Sequence, residues 1–182
     1  ATLMVTHDPE EAMFMANRIL VMDKGRIIQD GTPVETYFEP ENAFVAALFG
    51  HVNRLRGTVK NNRVETPLGT FDAKHLENGT SVEVLIRPEG LRLSKAGDVP
   101  EIQAGDIPSR PAAALDSVPK TLTRALSARP LGRSSHVVLA AGNGDGRDLT
   151  IEARVPGVFL PEPGEQVSVT VNPRQAHVFP VS

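Results

Sequence analysis

The sequence predicts a mainly β chain that opens with a short α/β segment. Three observations carry this. After Gly50 the chain reads as short Val-rich strands separated by Gly, Pro and Asn turns. Before Gly50, strand and helix patterns alternate, and all four Met residues lie there. Aromatic residues make up only 4% of the 182 residues, with no Trp, so the core has to be aliphatic. The composition, 40% hydrophobic and 23% charged, suits one full domain or two small ones and excludes global disorder. A net charge of −3 argues against a nucleic-acid binder that relies on bulk positive charge. The absence of Cys excludes disulfides, zinc–thiolate sites, iron–sulfur clusters and a cysteine nucleophile. No apolar run approaches the roughly 20 residues that span a bilayer. The chain begins at Ala1 inside an apolar run, without an initiator Met or targeting segment, and is expected to be a piece of a longer protein.

Residues 1–50 form the first expected domain. Thr2 to Thr6 is a short apolar run of the kind found in buried parallel strands. Asp8 suits an N-cap, Pro9 the first helical position, and Glu11 the place from which a capping-box acid reaches back. Glu10 and Glu11 also favour the positive end of the helix dipole. This helix is expected to reach Asn17, with Ala12, Met13, Met15 and Ala16 on its apolar side. Arg18 to Asp23 and Arg26 to Gly31 read as a hairpin about Lys24-Gly25, where Gly25 supplies positive φ. Thr32-Pro33-Val34-Glu35 repeats the cap-plus-Pro start for a helix to Phe38, and a further helix is expected over Glu41 to Phe49.

Residues 51–182 form the second. Val52 to Gly57, Thr58 to Asn61 and Arg63 to Thr66 read as strands, with Asn61-Asn62 as a hairpin turn. Thr70 to Ala73 follows. Val82, Val84 and Ile86 alternate with Glu83, Leu85 and Arg87, until Pro88, which cannot donate a ladder bond, ends the strand. Residues 96–119 are rich in breakers and read as a flexible insertion. Lys120 to Ala128, with Leu122 and Leu126 inward, Ser135 to Ala141, Asp148 to Val155, Gln166 to Val171 and Ala176 to Phe179 complete the strands. Such a series points to one or two small Greek-key barrels of the oligonucleotide/oligosaccharide-binding (OB) type. Lys120 to Pro180 is long enough for one barrel and residues 53–94 for a companion.

Leu3-Met4-Val5-Thr6-His7-Asp8-Pro9-Glu10-Glu11-Ala12 resembles the switch-histidine segment of ATP-binding cassette (ABC) transporter ATPases. The hairpin from Ile19 to Gly31 and the stretch to Gly50 look like the end of the same nucleotide-binding domain. Val52 to Gly57 and Val82 to Glu89 resemble the TOBE domain, the OB-like accessory domain of importer-type ABC ATPases. The resemblance implies a C-terminal part of an ABC importer ATP-binding subunit, most like the ferric-iron and polyamine uptake ATPases, with ferric iron as the expected solute. It makes His7 the catalytic and cofactor-binding residue, a switch histidine on the γ-phosphate of ATP. An imidazole N–H at the C-terminal end of a parallel strand suits that role. Glu10 and Glu11 need do no more than stabilise the helix start.

The parent protein is thus expected to be a transport ATPase using ATP and Mg²⁺. The 182 residues contain no Gly-x-x-x-x-Gly-Lys-Ser/Thr phosphate loop, no Leu-Ser-Gly-Gly signature and no strand ending in Asp-Glu. They are therefore expected to be inactive alone and to bind no cofactor. The resemblance also implies a homodimer, transmembrane permease partners, and a place on the cytoplasmic face of the inner membrane held through those partners. No metal site is expected, since His51, His75, His136 and His177 lack ligand spacing, and Gly142 to Asp148 lacks that of a calcium loop. Nucleic acid binding is disfavoured because Phe71, Phe159 and Phe179 suit core positions better than stacking platforms. Arg129, Arg133 and Arg174 read as solvated loop charges, with an anion patch as the alternative. Arg87 and Glu89 read as local partners about a structural turn. A small-ligand sensor (metal, oxyanion or polyamine) that inhibits transport is the competing function, and an OB-type oligonucleotide binder a distant third.

Overall fold

A computed structural model describes residues 2–97, 121–142 and 148–181. Most of the expected 96–119 insertion and most of the Gly142 to Asp148 loop lie outside the described residues. The chain divides into two compact units, Ala1–Val52 and Asn53–Ser182. Charge divides with them. Residues 1–52 hold eight acidic and three basic side chains, a net −5, which leaves the remainder with sixteen basic and fourteen acidic, a net +2.

In the first unit, α1 (Pro9–Met15) starts where the sequence places it. Asp8 accepts from the N–H groups of Glu10 (2.9 Å) and Glu11 (3.2 Å). The reciprocal bond differs from a capping box. Glu11 accepts from the Thr6 hydroxyl (2.6 Å), and Thr6 Oγ1 accepts from the Asp8 N–H (3.0 Å). The helix stops at Met15, short of Asn17, and Met15 faces solvent. Strands β1 (Ile19–Asp23) and β2 (Arg26–Gly31) form the expected hairpin, with Lys24 and Gly25 both at positive φ. A complete capping box between Thr32 and Glu35 opens α2 (Pro33–Phe38), and Asn42 caps α3 (Ala43–Leu48). The buried cluster is small: Ile19, Val21, Val45 and Phe49, with Ala12, Met13 and Ala16 against it. The buried Gln29 amide donates to the Glu39 carbonyl and accepts from the Glu41 N–H, each at 3.0 Å, and so fixes the bend between α2 and α3.

One expectation for this unit is overturned. Thr2 to Thr6 forms no strand, and Leu3 and Val5 are 86% and 90% exposed. A parallel strand exists only through its neighbours' ladder bonds, and among the described residues none pairs with this run.

The second unit consists of β3 (Asn53–Lys60), β4 (Arg63–Thr66), β5 (Gly69–Asp72), β6 (Ser81–Ile86), β7 (Leu91–Lys95), β8 (Thr121–Pro130), β9 (Ser134–Gly142), β10 (Asp148–Pro156), β11 (Gln166–Val171) and β12 (Ala176–Pro180). It is mainly β and OB-like, as the sequence predicts: two curled five-stranded antiparallel sheets, β12-β6-β3-β4-β5 and β10-β9-β8-β11-β7. The runs expected as Val52 to Gly57 and Thr58 to Asn61 are one strand, β3. Asn61 and Asn62, both at positive φ, turn it into β4.

Assignment of strands to barrels differs from expectation. Each half of the unit lends a strand to the other: β7 pairs with β11, and β12 pairs with β6. Residues 120–180 therefore do not close a sheet alone. Both sheets share one aliphatic core, including Leu55, Val84 and Ile86 from one and Leu139, Ile151 and Val169 from the other. Leu122 and Leu126 point outward, not inward. They share the parity of Arg124, which pairs with Asp148 at 2.8 Å. Thr123 and Ala125 face the core, the Thr123 hydroxyl donating to the Val167 carbonyl (3.1 Å). In a strand of period two the ion-paired Arg124 fixes the face of Leu122, while Leu126 is the extra residue where the β8–β9 register shifts between Ala125 and Ser127.

Candidate functional site

His7, the sequence-predicted catalytic and cofactor-binding residue, lies in the bend before α1. Thr6 and Asp8 hold the backbone on either side, as described above. The imidazole is exposed and makes no hydrogen bond among the described residues. It is therefore presented on a capped turn with both ring nitrogens available.

The second unit offers a different locale, where the chain changes sheets. Leaving β6, Arg87-Pro88-Glu89-Gly90 crosses to β7 through a 3₁₀ turn, Pro88–Gly90. Leaving β11, Asn172-Pro173-Arg174-Gln175 crosses back to β12 through another, Pro173–Gln175. Proline supplies the fixed φ and the end of the ladder in both. The corners touch. The Arg87 N–H donates to the Gln175 carbonyl (3.1 Å), and the Asn172 N–H donates to the Gly90 carbonyl (2.8 Å). A Cβ on Gly90 would lie 2.7 Å from Gln175 Cβ, so only glycine allows this approach. The two corners have similar sequences, Ile86-Arg87-Pro88-Glu89 and Val171-Asn172-Pro173-Arg174, but nothing in either marks the other as its partner.

Arg87 is buried, at 1% exposed, while Glu89 turns to Arg154 at 3.9 Å. Burial, together with the charge of Arg87, lowers the His177 imidazole to about 4, so the ring is neutral at pH 7. Its Nε2 and the Oε1 of Gln175 are buried without hydrogen-bond partners among the described residues. Asn53 closes the other side of the sheet crossing. Its amide donates to the carbonyls of Ile86 (3.2 Å) and Glu152 (2.8 Å), and its oxygen accepts from the Glu152 N–H (2.8 Å). One side chain thus replaces a rung of backbone pairing between β3 and β10.

The remaining candidates scatter. His75 contacts the Val178 carbonyl (3.3 Å) and His136 contacts Glu152 (3.1 Å). Among the described residues no three His, Asp or Glu side chains gather as a metal group. Phe71 and Phe159 pack on the core, whereas Phe179 stacks on His177 at 6.2 Å between centroids. Arg129 and Arg133 lie at one end of β8 and β9, and Arg174 lies in the second corner. An open depression of about 320 Å³ is lined by Leu122, Arg124, Ala140, Asp148 and Gln166, among others.

A family model of the TOBE domain matches residues 84–179, just over half of the chain, from the middle of β6 through β12. This chain belongs to the TOBE domain family. The match contains both corners and the strands they exchange. The spermidine/putrescine import ATP-binding protein PotA of Oleidesulfovibrio alaskensis is 42% identical over 106 residues, covering 53% of this chain and 28% of that protein. Its counterpart in Escherichia coli is 43% identical over 103 residues, 52% of this chain and 27% of that protein. The chain thus spans about a quarter of the length of these curated relatives, and it is similar to ABC importer ATP-binding subunits. Among solved structures, the cytoplasmic molybdate-binding protein ModG aligns with a TM-score of 0.46 and 14% identity, over 71% of this chain and 96% of that one. No helix of the described residues is long and apolar enough to cross a membrane.

Proposed function

We propose that this chain supplies the TOBE accessory domain, with the histidine-bearing end of the nucleotide-binding domain, of the ATP-hydrolysing subunit of an ABC importer. The observation that carries the reading is the TOBE match over residues 84–179, supported by the 42–43% identity to PotA proteins. In that subunit His7 donates a hydrogen bond to the γ-phosphate of ATP, and other parts of the subunit hold the phosphates and Mg²⁺. The exposed imidazole on a capped turn supports this role. The subunit works as a homodimer on permease partners at the cytoplasmic face of the inner membrane, and the TOBE domain serves dimerisation and regulation. The names of the relatives favour polyamines over ferric iron as the solute.

The test uses the complete subunit carrying these residues, reconstituted with its permease. His7→Ala is expected to reduce ATP turnover on the order of a hundredfold, as loss of one transition-state hydrogen bond does elsewhere. Unchanged turnover would remove the switch role. Uptake of putrescine without uptake of ferric iron is expected, and the reverse would restore the iron assignment.

A second reading rests on the buried, unpartnered His177 Nε2 beside the Arg87 charge. A small oxyanion bound there would accept from the neutral ring's N–H next to the Arg87 charge, making the domain a sensor. Calorimetric titration with oxyanions should then give saturable heat that His177→Phe abolishes. No heat from oxyanions, polyamines or ferric chelates would remove this reading.

A further inference from the structure

The two sheets of the second unit are one pattern used twice. Four strands in sequence, β3–β6 and then β8–β11, are each followed by a proline corner and a fifth strand that crosses to the other sheet. Read from the incoming strand, the sheets run β12-β6-β3-β4-β5 and β7-β11-β8-β9-β10, so every position in one has its counterpart in the other. At the corners the correspondence holds residue by residue. Ile86 to Leu91 matches Val171 to Ala176 without a gap, although only the proline is shared. Ile86 sits opposite Ala176 as Val171 sits opposite Leu91, and Val84 opposite Val178 as Val169 opposite Leu93. The hydrogen bonds are mates as well. The Arg87 N–H donates to the Gln175 carbonyl as the Asn172 N–H donates to the Gly90 carbonyl. Within the corners, the Gly90 N–H donates to the Arg87 carbonyl (2.9 Å) as the Gln175 N–H donates to the Asn172 carbonyl (3.0 Å). This is the isologous pairing of a two-fold dimer, built within one chain.

Each half is incomplete by itself. Without β12 the edge of β6 has no partner, and without the opposite sheet Val82, Val84 and Ile86 lose their cover. The edge of β11, with Val167, Val169 and Val171, stands in the same position towards β7. None of these contacts requires that the two halves belong to one chain. We propose that a second copy of this chain is a partner for this surface: β3–β7 of one copy takes β8–β12 of the other, and the two copies exchange halves. A different protein would have to reproduce both the strand register and the aliphatic core, which a second copy supplies by identity. Twenty-five residues lie between Lys95 and Thr121, and a chain of that length extends to roughly 80 Å, so the covalent link permits the exchange. The same link holds a chain's own second half at an effective concentration on the order of millimolar, which favours the closed monomer in dilute solution. The exchanged dimer therefore forms when the chain folds at high concentration. It then persists on dilution, because separating the halves means opening the shared core.

Ser94 on β7 and Ser168 on β11 are buried directly opposite each other. The chain has no cysteine, so Ser94→Cys with Ser168→Cys places a reporter on this pairing alone. Opposite residues of an antiparallel pair lie about 4.5–5.5 Å apart between Cα atoms, within disulfide range. The 182-residue variant is unfolded, refolded in a thiol–disulfide buffer at about 1 µM and at about 500 µM, and separated without reduction. A monomer with an internal disulfide is expected at the lower concentration. At the higher one, a dimer linked by disulfides between chains should be at least about tenfold more abundant and should survive dilution. The unsubstituted chain in two tag lengths gives a second readout that does not depend on the cysteines. Refolding the two together at high concentration should yield mixed dimers, and mixing them already folded should yield none within hours. Monomer alone at both concentrations would overturn the proposal. So would dimers without a disulfide between chains, or mixed dimers formed at once from folded chains, since either would place the association on another surface.

Discussion

The two units solve the same problem at different scales. Each turns a corner with one buried amide, Gln29 in the first and Asn53 in the second, that bonds both a backbone carbonyl and a backbone N–H. In the first unit the clamp spans ten to twelve residues and sits beside four buried apolar side chains. In the second it spans 99 residues and ties together two sheets that share a single core. The first unit is therefore a set of local structures, each stabilised by its own cap or turn. The second is a long-range fold in which exchanged strands make every part depend on the others.

That difference sets the order of mutational effects. Asn53→Ala should cost about 2–4 kcal/mol, because it removes three hydrogen bonds to backbone groups, one to the Ile86 carbonyl and two to Glu152. Chemical denaturation followed by amide signals of β6 and β10 measures it. Gln29→Ala should leave those signals unmoved; a shared loss would show that the units are not independent. Gly90→Ala comes next, at about 1–3 kcal/mol from overpacking against Gln175. A double variant with Gln175→Ala should recover part of the loss, and an absence of recovery would contradict the close approach of the corners.

His177 adds a pH dependence to the second unit alone. Its folded value of about 4 lies below the ordinary 6.5, so between them the unfolded chain binds more protons. The contribution is fully present above about pH 6.5 and is lost as pH falls towards about 4, by roughly 1–2 kcal/mol after allowing for the partly solvated ring. Melting curves of His177→Phe should show a flatter acid limb. The smallest effect belongs to the first unit. The Arg18 guanidinium holds the Asp30 carboxyl below its usual range through a 2.6 Å bond, which favours the folded hairpin above that range and fades as acid protonates Asp30. Both groups are at the surface, so Arg18→Ala should move the hairpin's amide signals more than the stability of the chain.

What was legible in the sequence was local. Asp8 and Thr32 announced their helices, Lys24-Gly25 and Asn61-Asn62 their turns, and Val82-Val84-Ile86 its strand, because each signal acts within a few residues. The exchange of β7 and β12 was not legible, since strand pairing between residues far apart in the chain leaves no mark in either partner beyond alternation. Asn53 looked like any polar residue at a strand start, and its role exists only where Glu152 meets it. The reading of Leu122 and Leu126 as inward weighed hydrophobicity over Arg124, which shares their face. The switch-histidine segment was legible as a motif, yet the strand expected before it depends on neighbours that no local pattern supplies. The corner at Arg87-Pro88-Glu89 was seen as a turn, but its tie to Asn172-Pro173-Arg174 emerged only in three dimensions.

Hydrogen exchange across the whole chain, at low concentration, tests the contrast between the units most directly. The expected result is strong, collective protection of β3, β6, β9, β11 and β12, with amides from Leu3 to Thr6 exchanging at the rate of an unstructured peptide. Slow exchange of Leu3 to Thr6 in the dilute monomer, or early loss of β7 and β12 ahead of the rest of their sheets, would contradict it.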